Sequence, residues 1–304
     1  MNSSRSQCSD SLKQLLMAHG ASRVAIASVA PVSDWAQRIY DRWLASGRHA
    51  AMGYLENYPD IRSNPALLMP GAKSIICCAF TFHPAPEGMS AHIAAYALGT
   101  DYHLVVRERL EAAASRIRDL YGGETRVCVD TAPLRERYWA MQSGLGFIGI
   151  NNYLIIPAIG SYLFLGEIIS TVSFPADKPL NSDCGRCGRC VKACPTGALH
   201  PDGSVDARKC LSYLTIEHRG DFPPGTDLHG TLYGCDICAA VCPHNAHAAH
   251  NEVLPELLPR PALLTLTHEE CRNMTQQQFS TLFRHSAIKR TKLAGLIRNA
   301  THLP

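Results

Sequence analysis

The sequence predicts a layered domain of mixed helices and strands, of the α+β or α/β class, followed by a cysteine-rich segment and a short helical tail. Two observations predict the layered domain: short apolar runs that suit buried strands, and stretches between them with apolar residues at helical spacing. A third observation, a dense set of cysteines late in the chain, predicts that a separate segment follows the layered domain. The predicted domains are residues 1–175, 176–250 and 251–304.

The individual elements of the first domain follow from local patterns. Strands are predicted at residues 24–29, 73–80 and 126–129, because each is a short apolar run. Helices are predicted at residues 11–20, 34–46 and 102–121, and the last ends at a pair of glycines. Pro133 is expected to open a further helix, since the first helical position needs no N–H donor. A basic helical tail is predicted over residues 267–299.

Composition limits the cellular setting. The formal net charge of +3 permits a nucleic-acid partner without demanding one. The first ten residues are polar and lack the apolar core of an export signal. No apolar run reaches the roughly 18–20 residues that cross a bilayer. We therefore expect a cytoplasmic protein without a membrane partner, in which the 13 cysteines stay reduced and the clustered ones serve as metal ligands or catalysts.

The cysteines form two groups with metal-ligand spacing. In the first, three cysteines two residues apart precede Cys194-Pro195, which is the bacterial ferredoxin pattern in which the fourth cysteine serves the other cluster. The second group repeats the pattern with its first ligand displaced upstream. Crossed ligation then predicts two 4Fe-4S clusters, whereas structural zinc is the alternative. The first predicted set is Cys184, Cys187, Cys190 and Cys242, and the second is Cys194, Cys210, Cys235 and Cys238.

Asp130 is the candidate functional residue of the first domain. It stands at the end of a predicted strand and just before Pro133, at an edge where α/β sheets gather ligands. An N-cap is the simpler local interpretation. No glycine-rich dinucleotide or nucleotide-phosphate motif accompanies the early strands.

Several longer motifs carry a resemblance. Residues 62–299 resemble the epoxyqueuosine reductases, a family of tRNA-modifying enzymes. The motifs are Gly99-Thr-Asp-Tyr-His103, Asp130-Thr-Ala-Pro133, Gly144-Leu-Gly-Phe-Ile-Gly149, Ser161-Tyr-Leu-Phe-Leu-Gly-Glu167, Cys210-Leu-Ser-Tyr-Leu-Thr-Ile-Glu217, Gly234-Cys-Asp-Ile-Cys238 and Phe283-Arg-His-Ser286.

The resemblance implies a reaction and its cofactors. Members convert epoxyqueuosine to queuosine at the anticodon wobble position of tRNA, the last step of queuosine biosynthesis, with cobalamin and two 4Fe-4S clusters. The first domain would bind cobalamin in the manner of reductive dehalogenases, and Asp130 would be the general acid. The implied cobalamin contacts are Arg62, Tyr102, Asp130, Asn152, Leu154, Leu165, Ser212, Cys235 and Asp236. The implied tRNA contacts are Thr215, Glu217, Arg219, Lys289, Arg290 and Arg298.

The implied chemistry sets demands on Asp130. Removal of the epoxide oxygen takes two electrons and two protons, and a protonated carboxyl would assist the opening C–O bond. Burial against an apolar corrin would raise the pKa of Asp130 and keep it protonated near neutral pH. The cluster held by Cys194 and its partners would face the corrin, because Ser212 and Asp236 adjoin its ligands.

Two other functions stay open. One is a cobalamin and iron–sulfur reductase of a small molecule, similar to the dehalogenases, and the other is a ferredoxin-type electron carrier. A flavodoxin or ferredoxin system is the expected electron donor, and a monomer is expected. Longer members of the family continue into a helical-repeat domain, whereas this chain stops at Pro304, so a shortened tRNA platform is expected.

Overall fold

The computed structural model describes the backbone of residues 2–304 and the side chains of residues 9–304. The helices are α1 Asn2–Ala18, α2 Asp34–Ala45, α3 Pro59–Ser63, α4 Tyr102–Tyr121, α5 Glu136–Gln142, α6 Arg189–Ala193, α7 Leu211–Ile216, α8 Ile237–Ala240, α9 Pro261–Leu264, α10 His268–Arg272, α11 Gln276–Leu282 and α12 Lys292–Thr301. The strands are β1 Arg23–Ser28, β2 Ser74–Thr81, β3 His92–Ile93, β4 Thr125–Cys128, β5 Phe147–Ile148, β6 Leu154–Ile155, β7 Leu163–Ser170 and β8 Thr231–Tyr233.

The first part of the chain is built on a four-stranded sheet in the order β1-β2-β7-β4. Every neighbouring pair in this sheet is antiparallel, so the arrangement follows the α+β alternative of the prediction. Strand β2 is buried along its whole length, which explains its continuous apolar sequence. The sheet places Glu167 of β7 between Cys77 of β2 and Cys128 of β4.

Helices cover both faces of this sheet. On β2, Ile76 and Phe80 join the core with α1 and α4, while Ile75 joins the core with α5 on the opposite face. This alternation follows from the two-residue period of a strand. Complete burial of each such side chain contributes about 1.5–3 kcal/mol. Gly166 lets α4 approach closely, because a Cβ there would lie 2.6 Å from the Leu110 side chain.

The cysteine-rich segment is joined to the earlier part of the chain. Strand β3 pairs in parallel with β8, and Leu98 shares a buried core with Leu214 and with Phe283 of the tail. These contacts cross the predicted boundary at residue 175, and the division into three domains stays a prediction. No helix in the described range 2–304 has the length and apolar character that a bilayer crossing requires.

The predicted elements agree with the structure except at the start of α1, at the helix expected from Pro133 and in the tail. Strands and helices around residues 23–45, 74–81 and 102–128 agree, whereas α1 begins at Asn2 rather than residue 11. The helix expected at Pro133 begins only at Glu136, with Arg135 at its N-cap position. The N-cap interpretation of Asp130 is therefore wrong. The predicted tail divides into the short helices α10, α11 and α12.

Candidate active site and cluster-binding segments

Asp130 lies in the turn after β4, with its backbone in the left-handed region at φ 54°. Its carboxylate Oδ2 accepts a hydrogen bond from the Tyr102 hydroxyl at 3.1 Å and lies 3.0 Å from His103 Nε2. Both partners stand at the start of α4. A left-handed aspartate costs backbone energy, so the loop must be held by its contacts. The side chain contacts these partners through Oδ2 and is 57% exposed.

His103 links Asp130 to a second carboxylate. Its Nδ1 lies 2.7 Å from Asp101 Oδ1, and Asp101 also caps α4 by accepting the His103 backbone N–H. Burial lowers the pKa of His103, but the hydrogen bonds to Asp101 and Asp130 outweigh it and raise that pKa to about 9. Both ring nitrogens therefore carry protons at neutral pH, and each donates to a carboxylate.

The same contacts determine the direction in which the pKa of Asp130 is shifted. The hydrogen bond from His103 holds the pKa of Asp130 below its usual value, although burial opposes this. In the structure an imidazolium, rather than an apolar surface, is the neighbour of Asp130, and the raised pKa expected against a corrin stays a prediction. One proton belongs to the Asp130–His103 pair and rests mainly on His103.

A cation stands near this carboxylate at the mouth of the site. Arg290 donates to both carboxylate oxygens of Glu217 at 3.0 Å, and its guanidinium lies 5.6 Å from the centre of the Tyr54 ring. The charge of Arg290 also lowers the pKa of Asp130. Because Arg290 is 53% exposed, it presents positive charge to solvent beside the candidate general acid.

The four cysteines of the first predicted set line one cavity. Cys184, Cys187, Cys190 and Cys242 line one small space together with Ile150 and Asn151. Cys242 comes from the second cysteine group, more than fifty residues downstream of the others. The crossed arrangement therefore exists in the fold, and its four thiols have the chemistry that a 4Fe-4S cluster requires.

The second predicted set is gathered in the same way. Burial raises the pKa of Cys238, and the neighbouring Cys235, Cys210 and Cys194 add to that effect. Cys194 therefore lies among the thiols of the later group rather than with its neighbours in sequence. Its sulfur also lies 3.7 Å from the Thr196 hydroxyl, as suits a thiolate stabilised by hydrogen bonds.

The cysteine pattern fits two cubane clusters better than structural zinc. It has a run of three cysteines, each separated from the next by two residues, and each group ends in Cys-Pro, whereas zinc sites use four ligands in pairs.

The loop between β5 and β6 lies between α5 and the cysteine sets. Arg137 of α5 donates to the Asn152 carbonyl, and Asn151 Nδ2 donates to the Cys238 carbonyl at 3.4 Å. Asn152 itself is left-handed at φ 65°. The loop contacts both cysteine sets, because Ile150 and Asn151 also line the cavity of the first set, and the expectation that the second set faces the corrin stays a prediction.

The predicted cobalamin contacts divide by exposure. Leu154 is only 2% exposed and packs in the core, and the Asp236 carboxylate is buried against the Ala95 N–H at 2.6 Å. The side chains of these two residues are therefore not available to a corrin. The partly exposed members are Arg62, Tyr102, Asn152, Leu165, Ser212 and Cys235.

Two predicted tRNA contacts need correction. Thr215 is fully buried, and its hydroxyl donates to the Leu211 carbonyl, so it cannot reach an RNA. Arg298 uses its guanidinium inside the protein, on carbonyl oxygens of residues 214, 218 and 220 and on the side chain of Asn299. The remaining four predicted contacts lie near one another or at the surface: Glu217, Arg219, Lys289 and Arg290.

Two carboxyl groups of the site were not predicted. Glu136 accepts the Asp130 backbone N–H at 2.5 Å, and Glu167 lies fully buried beside it in the sheet. A single charged residue within the apolar strand Leu163–Ser170 is the signal that could have identified Glu167, because an unpaired buried charge is expensive.

Family comparisons agree with this arrangement. Residues 62–131 match the family model described as "Epoxyqueuosine reductase QueG, DUF1730". Residues 183–245 match a 4Fe-4S double cluster binding domain, a range that contains all eight predicted ligand cysteines. The prediction of two 4Fe-4S clusters is confirmed.

Whole-chain comparisons extend the match. The chain is 38% identical over 288 residues to the epoxyqueuosine reductase of Synechococcus sp. (strain RCC307), with 93% of this chain and 89% of that protein covered. It is similar to a crystal structure of epoxyqueuosine reductase with an epoxyqueuosine-modified tRNA-Tyr stem loop, at TM-score 0.91, 28% identity, and coverage of 97% of this chain and 80% of that one. A Bacillus subtilis epoxyqueuosine reductase, whose catalytic aspartate loop is swung out of the active site, matches at TM-score 0.89 and 27% identity, with the same coverage. The chain belongs to the epoxyqueuosine reductase family.

Proposed function

We propose that this protein reduces epoxyqueuosine to queuosine in tRNA, with electrons from two 4Fe-4S clusters and with cobalamin as the second cofactor. The observation that carries the proposal is the hydrogen-bonded series Asp101–His103–Asp130, which keeps a proton beside an exposed carboxylate. The tRNA stem loop bound by a relative at 28% identity supports the substrate, and the aspartate on the catalytic loop of the Bacillus subtilis relative supports the choice of Asp130.

The residues around Asp130 suit a large flat cofactor. The partly exposed Tyr102, Asn152 and Leu165 come from three separate parts of the chain, and Tyr102 donates to the Asp130 carboxylate. Tyr102 is held rigid by stacking on Phe164, with ring centres 4.4 Å apart. Cobalamin, when bound, would supply the cobalt centre that collects single electrons from the clusters. The likeness of this domain to reductive dehalogenases stays a prediction.

The protein's own part in the reaction is to hold and deliver protons. Epoxide opening leaves negative charge on the oxygen, which a nearby donor stabilises. Asp130 lies between that oxygen and His103, so a proton moves from His103 Nε2 to Asp130 and on to the substrate. Asp101 accepts from Nδ1 throughout and favours the imidazole tautomer that can be protonated again at Nε2.

The tRNA would approach over the exposed basic side chains near the site. Arg290 and Lys289 are exposed there, and phosphate contacts from such side chains dominate tRNA affinity. A splayed wobble nucleotide would then reach Asp130. The electron donor, the monomeric state and the cytoplasmic location stay predictions.

The test uses purified protein with reconstituted clusters, cobalamin and a chemical reductant. Epoxyqueuosine-containing tRNA is incubated with this protein, and the nucleosides are then separated and identified by mass spectrometry. We expect queuosine to form, and to form only when cobalamin is present. Reduction of a halogenated phenol with no queuosine would favour the small-molecule reductase. An intact cluster spectrum with neither reaction would favour the electron carrier.

A further inference from the structure

The Glu136 and Glu167 carboxyls form a pair directly behind the Asp130 loop. Glu167 is 0% exposed, and no N–H or O–H group of the described side chains or backbone donates to either of its oxygens. A buried carboxylate without a donor is very costly, whereas a neutral carboxylic acid is not. The hydrogen-bonding neighbour of Glu167 is Glu136. A proton on Glu167 therefore keeps this buried carboxyl neutral and is available for donation to Glu136.

Glu136 is the member of this pair that contacts Asp130. Its Oε1 accepts the Asp130 backbone N–H, while the Asp130 side chain points to Tyr102 and His103. Hydrogen bonds to an ionised acceptor are about twice as strong as neutral ones. An ionised Glu136 thus holds the left-handed Asp130 backbone more firmly than a protonated one.

We propose that Glu136 is a positioning residue for Asp130, and that the shared proton donated by Glu167 keeps Glu136 in the orientation that holds the loop. This inference rests on the proposed function, because it deepens the role of the same site. Neither glutamate touches the substrate, so the pair acts only through Asp130.

The protonation states follow from the surroundings. Burial raises the pKa of Glu167 well above its usual value, and the neighbouring Glu136 adds to this. Burial together with the charge of Asp130 raises the pKa of Glu136 to about 7. The holding carboxylate is therefore present above about pH 7 and is lost as the pH falls through that value. The other ionisable groups that face the pair are Asp130, Arg137, Tyr102, Cys77, Cys78 and Cys128.

Two conservative variants separate positioning from bulk structure. In Glu136→Gln the amide oxygen still accepts the Asp130 N–H but cannot ionise, so the loss of kcat below about pH 7 disappears. In Glu167→Gln the amide still donates to Glu136 in place of the carboxylic acid, so the loss of kcat below about pH 7 should be retained. The matched control is Glu111→Gln on the exposed face of α4, which leaves the profile unchanged. An acidic limb that persists in Glu136→Gln would overturn the proposal.

A second measurement does not depend on turnover. The infrared band of a protonated carboxylic acid is recorded at pH 8 for the unmodified protein and for Glu167→Gln. We expect the band in the first and its loss in the second. A protein that lacks the band would contradict the shared proton, even if epoxyqueuosine is reduced. Presence of the band without tRNA reduction would leave this inference standing and refute the proposed function instead.

Discussion

His103 Nε2 lies 3.0 Å from Asp130 Oδ2, while its Nδ1 lies 2.7 Å from Asp101 Oδ1. The imidazole therefore stands between two carboxylates and is best stabilised when it carries both protons. His103 therefore stores the proton that the reaction uses, and Asp130 is the group through which that proton reaches the substrate.

The pH dependence of turnover should reflect this reserve. The raised pKa means that the His103 proton is present below about pH 9 and is lost as the pH rises through that value. We expect kcat on modified tRNA to fall above about pH 9. In His103→Gln, kcat should drop by about 10²–10⁴-fold, a typical contribution of proton transfer, and the alkaline decline should vanish because glutamine cannot ionise. An unchanged alkaline decline in that variant would assign it to another group.

The crossed cysteine sets predict which substitutions share a defect. Cys194→Ser should lose the same cluster as Cys235→Ser, because both thiols adjoin Cys238. Each variant should retain about four irons instead of about eight. The electron paramagnetic resonance spectrum of the reduced protein identifies which cluster remains. If the Cys194→Ser spectrum instead matches that of Cys184→Ser, ligation is local and the crossed assignment fails.

The control for these variants is Cys271→Ala. Cys271 is fully buried in the tail core and lies in neither set. Its substitution should leave the iron content unchanged, which separates ligand loss from general damage to a buried cysteine.

Arg290 is predicted to contact tRNA phosphate. In Arg290→Ala the slope of log affinity against log salt concentration should decrease in magnitude by about 1, as expected for the loss of one phosphate contact. Fluorescence anisotropy with a labelled anticodon stem loop measures it over a salt series. Arg116→Ala is the matched control, because Arg116 is exposed on α4 and pairs with Asp119. An equal change in both variants would mean that only net charge matters.

Arg298 should behave differently, since its guanidinium serves backbone carbonyls at residues 214, 218 and 220. Arg298→Ala should lower the free energy of unfolding by about 3 kcal/mol, because charged hydrogen bonds are lost and buried acceptors are left unpaired. Thermal unfolding measures this loss, and the salt slope of tRNA binding should stay as it was. A reduced salt slope together with an unchanged free energy of unfolding would show that Arg298 contacts the tRNA instead.

Local patterns were sufficient for much of the fold and for the cysteine sets. Helix α4 and strand β4 have clear periodicity and clear ends, and the cysteine spacing carries its own geometry. The positions of Thr215 and Arg298 could not be predicted, because a short helix and a basic tail look exposed until tertiary packing buries them. The pKa direction of Asp130 also depended on the orientation of His103, which only the folded turn determines.

The Glu136–Glu167 pair illustrates the same limit. The two residues stand on α5 and β7, more than thirty positions apart, and meet only because the sheet brings β4 beside β7. The sequence shows that Glu167 is a charged residue within an apolar strand, but it does not show that Glu167 contacts Glu136.

The most direct test of the account is single-turnover reduction of epoxyqueuosine-modified tRNA by Asp130→Asn, with clusters and cobalamin loaded as in the unmodified protein. Asparagine keeps the size of the side chain but cannot pass on a proton. The account predicts unchanged iron content, unchanged corrin absorbance and a rate of queuosine formation lower by about 10²-fold or more. Full turnover by this variant would contradict the assignment of Asp130 as the residue that delivers the proton.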